Sequence, residues 1–181
     1  VIVVYRLITT TNSATPITIT TTSGSLLAAG AGGGADIVAP AADAVVTVTT
    51  VTGIGATGNA LETDITTLAV SVSGAGDVAI SETDGITLSE IETADGAINV
   101  IAGGIITATS VDTSATDDGS NDITLVTTAG DIATKTITAG YSNSATITAA
   151  GNITEDGVRS TGITANVLDL SAGGSITVDP T

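Results

Sequence analysis

The chain has 181 residues, of which 42% are hydrophobic, so it can bury a core and is not a disordered acidic tail. Nineteen acidic residues stand against three basic ones, Arg6, Lys135 and Arg159, and the formal charge of −16 makes nucleic acid and anionic membrane surfaces poor partners and favours cations. The absence of His and Cys removes both a Ser-His arrangement and a thiolate nucleophile, together with the two most versatile transition-metal ligands.

Residues 1–24 open with Val1-Ile2-Val3-Val4-Tyr5-Arg6-Leu7-Ile8 and continue with Ile17-Thr18-Ile19-Thr20, two predicted strands around a break at Asn12, Ser13 and Pro16. Val1, Val3, Tyr5 and Leu7 fall on one face of the opening strand, and Ile2, Val4 and Ile8 on the other. Both faces therefore read as buried, and the expectation is a docking or donor segment that adds a strand to a neighbouring subunit. Residues 25–60 are less regular, with Gly30, Gly32, Gly33 and Gly34, then Pro40, then the strand Val45–Val51; they read as a Gly/Ala-rich excursion. From Leu61 to Thr181, strand and turn signals arrive at the close spacing of an all-β chain, and the Gly and Thr density argues against helix.

Within residues 61–181 a single phrase recurs: a glycine, a small or polar residue, then β-branched apolar residues at every second position. It stands at Gly76-Asp77-Val78, Gly96-Ala97-Ile98, Gly130-Asp131-Ile132, Gly151-Asn152-Ile153 and Gly174-Ser175-Ile176. The glycines lie 20 residues apart from Gly76 to Gly96, 21 from Gly130 to Gly151 and 23 from Gly151 to Gly174. A strand-turn unit of that size cannot cover its apolar face alone and is stabilised by stacking on its like, so the period predicts a parallel β-helix of about 21-residue coils, roughly eight of them. Val78, Ile98, Ile132, Ile153 and Ile176 are expected in one interior ladder. Two tandem immunoglobulin-like sandwiches are the alternative; the lack of Trp and Phe, the usual anchors of such cores, speaks against them.

The Gly-polar-Ile-Thr phrases with Ala-Gly-Gly turns, as in Leu168-Asp169-Leu170-Ser171-Ala172-Gly173-Gly174-Ser175-Ile176-Thr177-Val178, resemble the repeats of filamentous-haemagglutinin-like exoproteins and other giant bacterial surface proteins over residues 61–181. The resemblance implies a right-handed parallel β-helix, export to the cell surface, and service as a fibre, sheath or adhesin shaft. It supplies no catalytic residues.

Several motifs carry candidate chemistry. Gly53-Ile54-Gly55-Ala56-Thr57-Gly58 matches the dinucleotide fingerprint, but the strand before it alternates with Thr and no helix pattern follows, so it reads as a turn. Asp117, Asp118, Ser120, Asn121 and Asp122 gather hard oxygen ligands around Gly119, the chemistry of a weak Ca²⁺ site set against an ordinary acidic turn. Threonine pairs such as Thr18 with Thr20 and Thr47 with Thr49 suggest a hydroxyl array of the ice-binding kind, without a single recurring column. Glu90 and Glu92 read as a solvated face rather than a hydrolytic pair, and Asn152-Ile153-Thr154 as a chance glycosylation sequon inside the repeat phrase. The chain shows no initiator Met, no basic-apolar leader and no run long enough to span a bilayer, which reads as a processed protein or a piece of a longer one.

The function expected is non-enzymatic: a structural segment of an exported cell-surface or extracellular fibre that self-associates head to tail. The alternative is an adhesin module for a carbohydrate or host surface, with Ca²⁺ as its cofactor if it has one.

Overall fold

The computed structural model describes residues 1–9, 17–30, 33–155 and 162–178. The expected break at Asn12, Ser13 and Pro16 lies outside them, as does Arg159. The strands are, in order, β1 (Ile2–Val4), β2 (Leu7–Ile8), β3 (Ile17–Thr20), β4 (Leu26–Ala28), β5 (Ile37–Ala39), β6 (Val45–Thr50) and β7 (Leu61–Ile65). There follow β8 (Thr67–Ala75), β9 (Val78–Glu82), β10 (Ile86–Asp95), β11 (Ile98–Ala102), β12 (Ile106–Asp112) and β13 (Ile123–Thr127). The last are β14 (Ile132–Thr138), β15 (Ser144–Ala149), β16 (Ile153–Glu155), β17 (Gly162–Thr164), β18 (Val167–Ala172) and β19 (Ile176–Thr177). Among the described residues there is no helix.

The chain winds as a β-solenoid. Each turn lays one strand on sheet A (β2, β5, β7, β9, β11, β13, β15, β18) and one on sheet B (β3, β6, β8, β10, β12, β14, β16, β19), always parallel to the strand one coil away. The pair β1–β4 joins sheet A through the bridges Leu26 to Ile54 and Ile54 to Val78. The first inward column of sheet A thus reads Ile2, Leu26, Ile54, Val78, Ile98, Ile123, Ala145, Leu168, seven steps of 20 to 28 residues. That spread is wider than the 21-residue coil read from the glycines. It also corrects the division into three segments, because residues 1–60 pair in the same ladders as the rest.

The single interior ladder is corrected as well. Val78 and Ile98 are neighbours on sheet A, whereas Ile132, Ile153 and Ile176 follow Ile86 and Ile106 on sheet B. The phrase occurs at both turns of a coil. Gly96 to Gly130 spans 34 residues, not a whole number of coils, because the phrase opens β11 on sheet A and β14 on sheet B, and the β12–β13 connection between them carries no Gly-x-Ile phrase.

Two sheets in this proximity leave room for two facing layers of aliphatic side chains and no more, which is why the core is Ile, Val, Leu and Ala. Each fully buried Ile or Leu contributes about 1.5–3 kcal/mol. On sheet B the column Leu68, Leu88, Ala108, Thr134 is followed two residues on by Val70 but three on by Ile91, Val111 and Ile137. The extra residue is a bulge at Ser89–Glu90 that bends the long strands around the core. Turns are closed from inside by a Thr-x-x-Gly device. The buried hydroxyls of Thr21, Thr93 and Thr127 donate to the carbonyls of Gly24, Gly96 and Gly130 at 2.5, 2.6 and 3.0 Å.

The opening strand is not buried on both faces. Val4 is buried, but Val1, Ile2, Val3, Tyr5, Leu7 and Ile8 are exposed, because β1 and β2 pair on one side only, with β4 and β5.

Candidate functional site

Most of the acidic residues that sequence singles out serve the coil-to-coil stacking. At corners where the strand ladder lapses, a carboxylate or amide oxygen accepts the backbone N–H of a residue one coil on. Asp36 takes Glu62 N (3.1 Å), Asp77 takes Ala97 N (2.9 Å), Asp131 takes Asn152 N (2.7 Å) and Asn152 takes Ser175 N (2.9 Å). Charged acceptors are the strongest available for such orphan donors. Asn152, the sequon residue, is thereby committed to a corner, and its Nδ2 donates to Asp131.

The same device dissolves the expected Ca²⁺ cluster. Asp117 turns both oxygens to the next coil, accepting Tyr141 N (3.0 Å), Ser142 N (2.7 Å) and Asn143 Nδ2 (3.2 Å). Asp118 closes on Ser120 N and Oγ, which hold its carboxyl below the usual range. Asp122 accepts Ser144 N at 2.7 Å, and buried Asn121 donates to Thr116 O and Asp95 Oδ1. The five residues face different partners, so they do not converge on one point.

Among the described residues, the three carboxylates that do converge are Asp64, Glu82 and Asp84, with oxygens within 4.8 Å of one another. Glu82 continues the alternation of Val78 and Ile80, so its side chain points inward, in register with Thr63 and Ala102, and is 4% exposed. The Thr63 hydroxyl donates to it at 2.6 Å, and Ile65 N and Thr83 N each at 3.1 Å. Burial pushes its carboxyl from 4.5 up to about 7; the bonds from Thr63 and Ile65 pull it back, and the Asp84 charge adds to the rise. The three donors all favour the ionised form, and burial outweighs them. Sequence reasoning missed it, although the two-residue period alone places Glu82 inside.

The fingerprint glycines form a turn and a projecting lip. Gly53, Gly55 and Gly58 have φ of 105°, 63° and 80°, open to glycine and strained for other residues. Where the next coil runs straight from Val78 to Ile80, this one leaves at Ile54 and returns at Leu61. Ala56 and Asn59 close the excursion with reciprocal N–H to O bonds of 3.0 and 2.9 Å, and Asn59 Nδ2 ties it back to Ala28 O at 3.4 Å. The lip overhangs the outer face of sheet A and bounds a groove of about 480 Å³ across β9, β11 and the start of β13. Its floor includes Ala79, Ser81, Asn99, Ile101 and Thr124; Glu62, Asp77 and Asp122 stand at its margins.

Glu90 and Glu92 sit exposed on sheet B, where Glu92 accepts the Ser71 hydroxyl at 2.7 Å. Register does align outward threonines, Thr67, Thr87 and Thr107, and later Thr154 and Thr177, but Ala133 interrupts them. No helix among the described residues is long and apolar enough to cross a membrane. Comparison with family models, with curated proteins and with solved structures finds no match to this chain, so the reading of its function rests on the coils themselves.

Proposed function

We propose that the chain is a stiff structural segment of an exported, cell-surface or extracellular fibre. The observation that carries this reading is the continuity of the inward columns over seven coil steps, with the outer surface left to hydroxyls and carboxylates. In a solenoid each coil rests on its neighbours alone, so length is added without a change in cross-section. The side-chain acids act as brackets between coils, which stiffens the stack along its axis.

Head-to-tail association belongs to the same proposal. Strands β1 and β2 offer an unpaired parallel edge with Ile2, Leu7 and Ile8 exposed, and β18 and β19 offer the other, with Val167, Leu168 and Ile176 exposed. Such edges recruit a further strand of the same direction. Electron microscopy of the protein at increasing concentration tests the reading: rods with an axial repeat of roughly 35–40 Å, eight strands at about 4.8 Å, are expected. Compact particles at every concentration would refute the association. Deleting residues 1–10 should leave a folded protein that no longer elongates; rods of unchanged length would show that the first strand is not the contact.

A further inference from the structure

We propose that the groove beneath the lip is a binding site for a cationic polyhydroxylated ligand, a short amino-sugar glycan. The proposal is independent of the end-to-end contacts, since the groove lies on the side of the stack.

The first argument is that a coil can close without the lip. The following coil goes from Val78 to Ile80 without such an excursion, whereas the preceding coil takes eleven residues from Leu26 to Ile37 where this one takes nine from Ile54 to Thr63, so the lip ends a ledge of which the following coil is free. Two positive-φ glycines, the Ala56–Asn59 pair and the Asn59 tether are spent on holding it in one place over the sheet. The result is a wall standing on the otherwise flat outer face of sheet A.

The second argument is the chemistry of the lining. Outward positions on parallel strands fall in columns about 4.8 Å apart, so Ser81, Ile101 and their neighbours Ala79, Asn99 and Thr124 present a flat grid. Ile101, opposite Ser81, is 41% exposed and gives the grid an apolar element suited to the C–H face of a sugar ring, while Ala79, opposite Asn99, is largely covered. Around that floor the polar atoms are acceptors or can accept. The Glu62 carboxylate, the Asn99 amide and the Ser81 hydroxyl stand at the surface of the groove, and Asp77 and Asp122 each use only Oδ1 on a neighbouring coil.

The third argument is charge. Three carboxylates border the groove, and among the described residues no basic one lines it. Arg6 and Lys135 lie elsewhere, on the first coil and on sheet B. A ligand that brings both hydroxyl donors and positive charge is the complement of this lining, and a volume of 480 Å³ is that of a site for one or two sugar rings.

The test is titration of the intact chain, followed by amide NMR shifts and calorimetry, with a fully deacetylated glucosamine tetramer at a pH where primary amines are protonated. The parallel probes are the N-acetylated tetramer, a neutral glucose tetramer and spermine, all at one ionic strength. The expected result is saturable binding of the deacetylated tetramer, with shifts confined to residues 56–62, 79–81 and 97–101. Glu62→Gln and Asn99→Ala should each weaken it about tenfold. Glu92→Gln, on the opposite sheet, should leave it unchanged. Equal binding of spermine, or an equal loss in Glu92→Gln, would reduce the effect to general attraction by an acidic surface and overturn the site. Equal binding of the acetylated or the neutral tetramer would overturn the role given to charge, and no binding of any sugar would overturn the proposal whole.

Discussion

Replacing Glu82 by Gln isolates one buried proton. In the folded chain the carboxyl titrates at about 7 against an ordinary value of 4.5, because burial disfavours its charged form. A raised carboxyl binds its proton more tightly in the folded than in the unfolded state. Its contribution is therefore fully present below 4.5 and is lost as pH climbs through 7. At about 1.36 kcal/mol per pH unit the interval corresponds to about 3 kcal/mol, and solvent reaching the exposed Asp84 beside it lowers the expectation to about 2 kcal/mol. The amide of the variant carries no charge and keeps an acceptor for the Thr63 hydroxyl, while its NH2 meets the N–H groups of Ile65 and Thr83 at a cost that does not change with pH. Urea unfolding of both proteins at constant ionic strength, from pH 4 to 9, should then give a difference that is constant at the acid end and shifts by about 2 kcal/mol in the variant's favour by the time pH has passed 7. A difference that is flat between pH 4.5 and 7, or that moves toward the wild type as pH rises, would refute the inward, desolvated placement of Glu82.

Ile106→Asp puts an unpaired charge between Ile86 and Ile132 and should cost about 3–5 kcal/mol, while Thr107→Asp, one residue on and facing outward, should change thermal stability by less than about 0.5 kcal/mol. Asp117→Ala orphans the N–H groups of Tyr141 and Ser142 and should cost about 1–3 kcal/mol, and Ca²⁺ at matched ionic strength should stabilise wild type and variant equally, read as the shift in melting temperature. Gly55→Ala meets both a φ of 63° and the Ala79 carbonyl, so chemical denaturation should show a larger loss than for Gly58→Ala, whose Cβ enters open space and whose cost is about 1 kcal/mol of backbone strain. Thr50→Val removes a buried hydroxyl that has no partner, in register with Val72, and should raise the unfolding midpoint, equivalent to about 1 kcal/mol.

The parallel stack was legible in the sequence because its cause is local. Alternation such as Ile98-Asn99-Val100 sets an inward and an outward face, a glycine turns the chain, and an aliphatic core without rings admits only thin layers, so the fold class follows from period and composition. Inward placement of Glu82 follows from the same alternation, and the turn at Gly53–Gly58 from the glycines. What sequence did not determine is register, because a coil can lengthen at any turn without altering the alternation. The glycine phrase opens a strand at either turn of a coil, so the same words stand before Val78 and Ile98 on one sheet and before Ile132, Ile153 and Ile176 on the other, and the excursion from Ile54 to Leu61 created the groove. The fate of Asp117 to Asp122 was decided at the same level. Five oxygen-bearing residues in a row resemble a cation site, yet which way each side chain turns depends on backbone N–H groups 22 to 25 residues away, at Tyr141, Ser142 and Ser144, and only the stacking of one coil on the next brings those within reach.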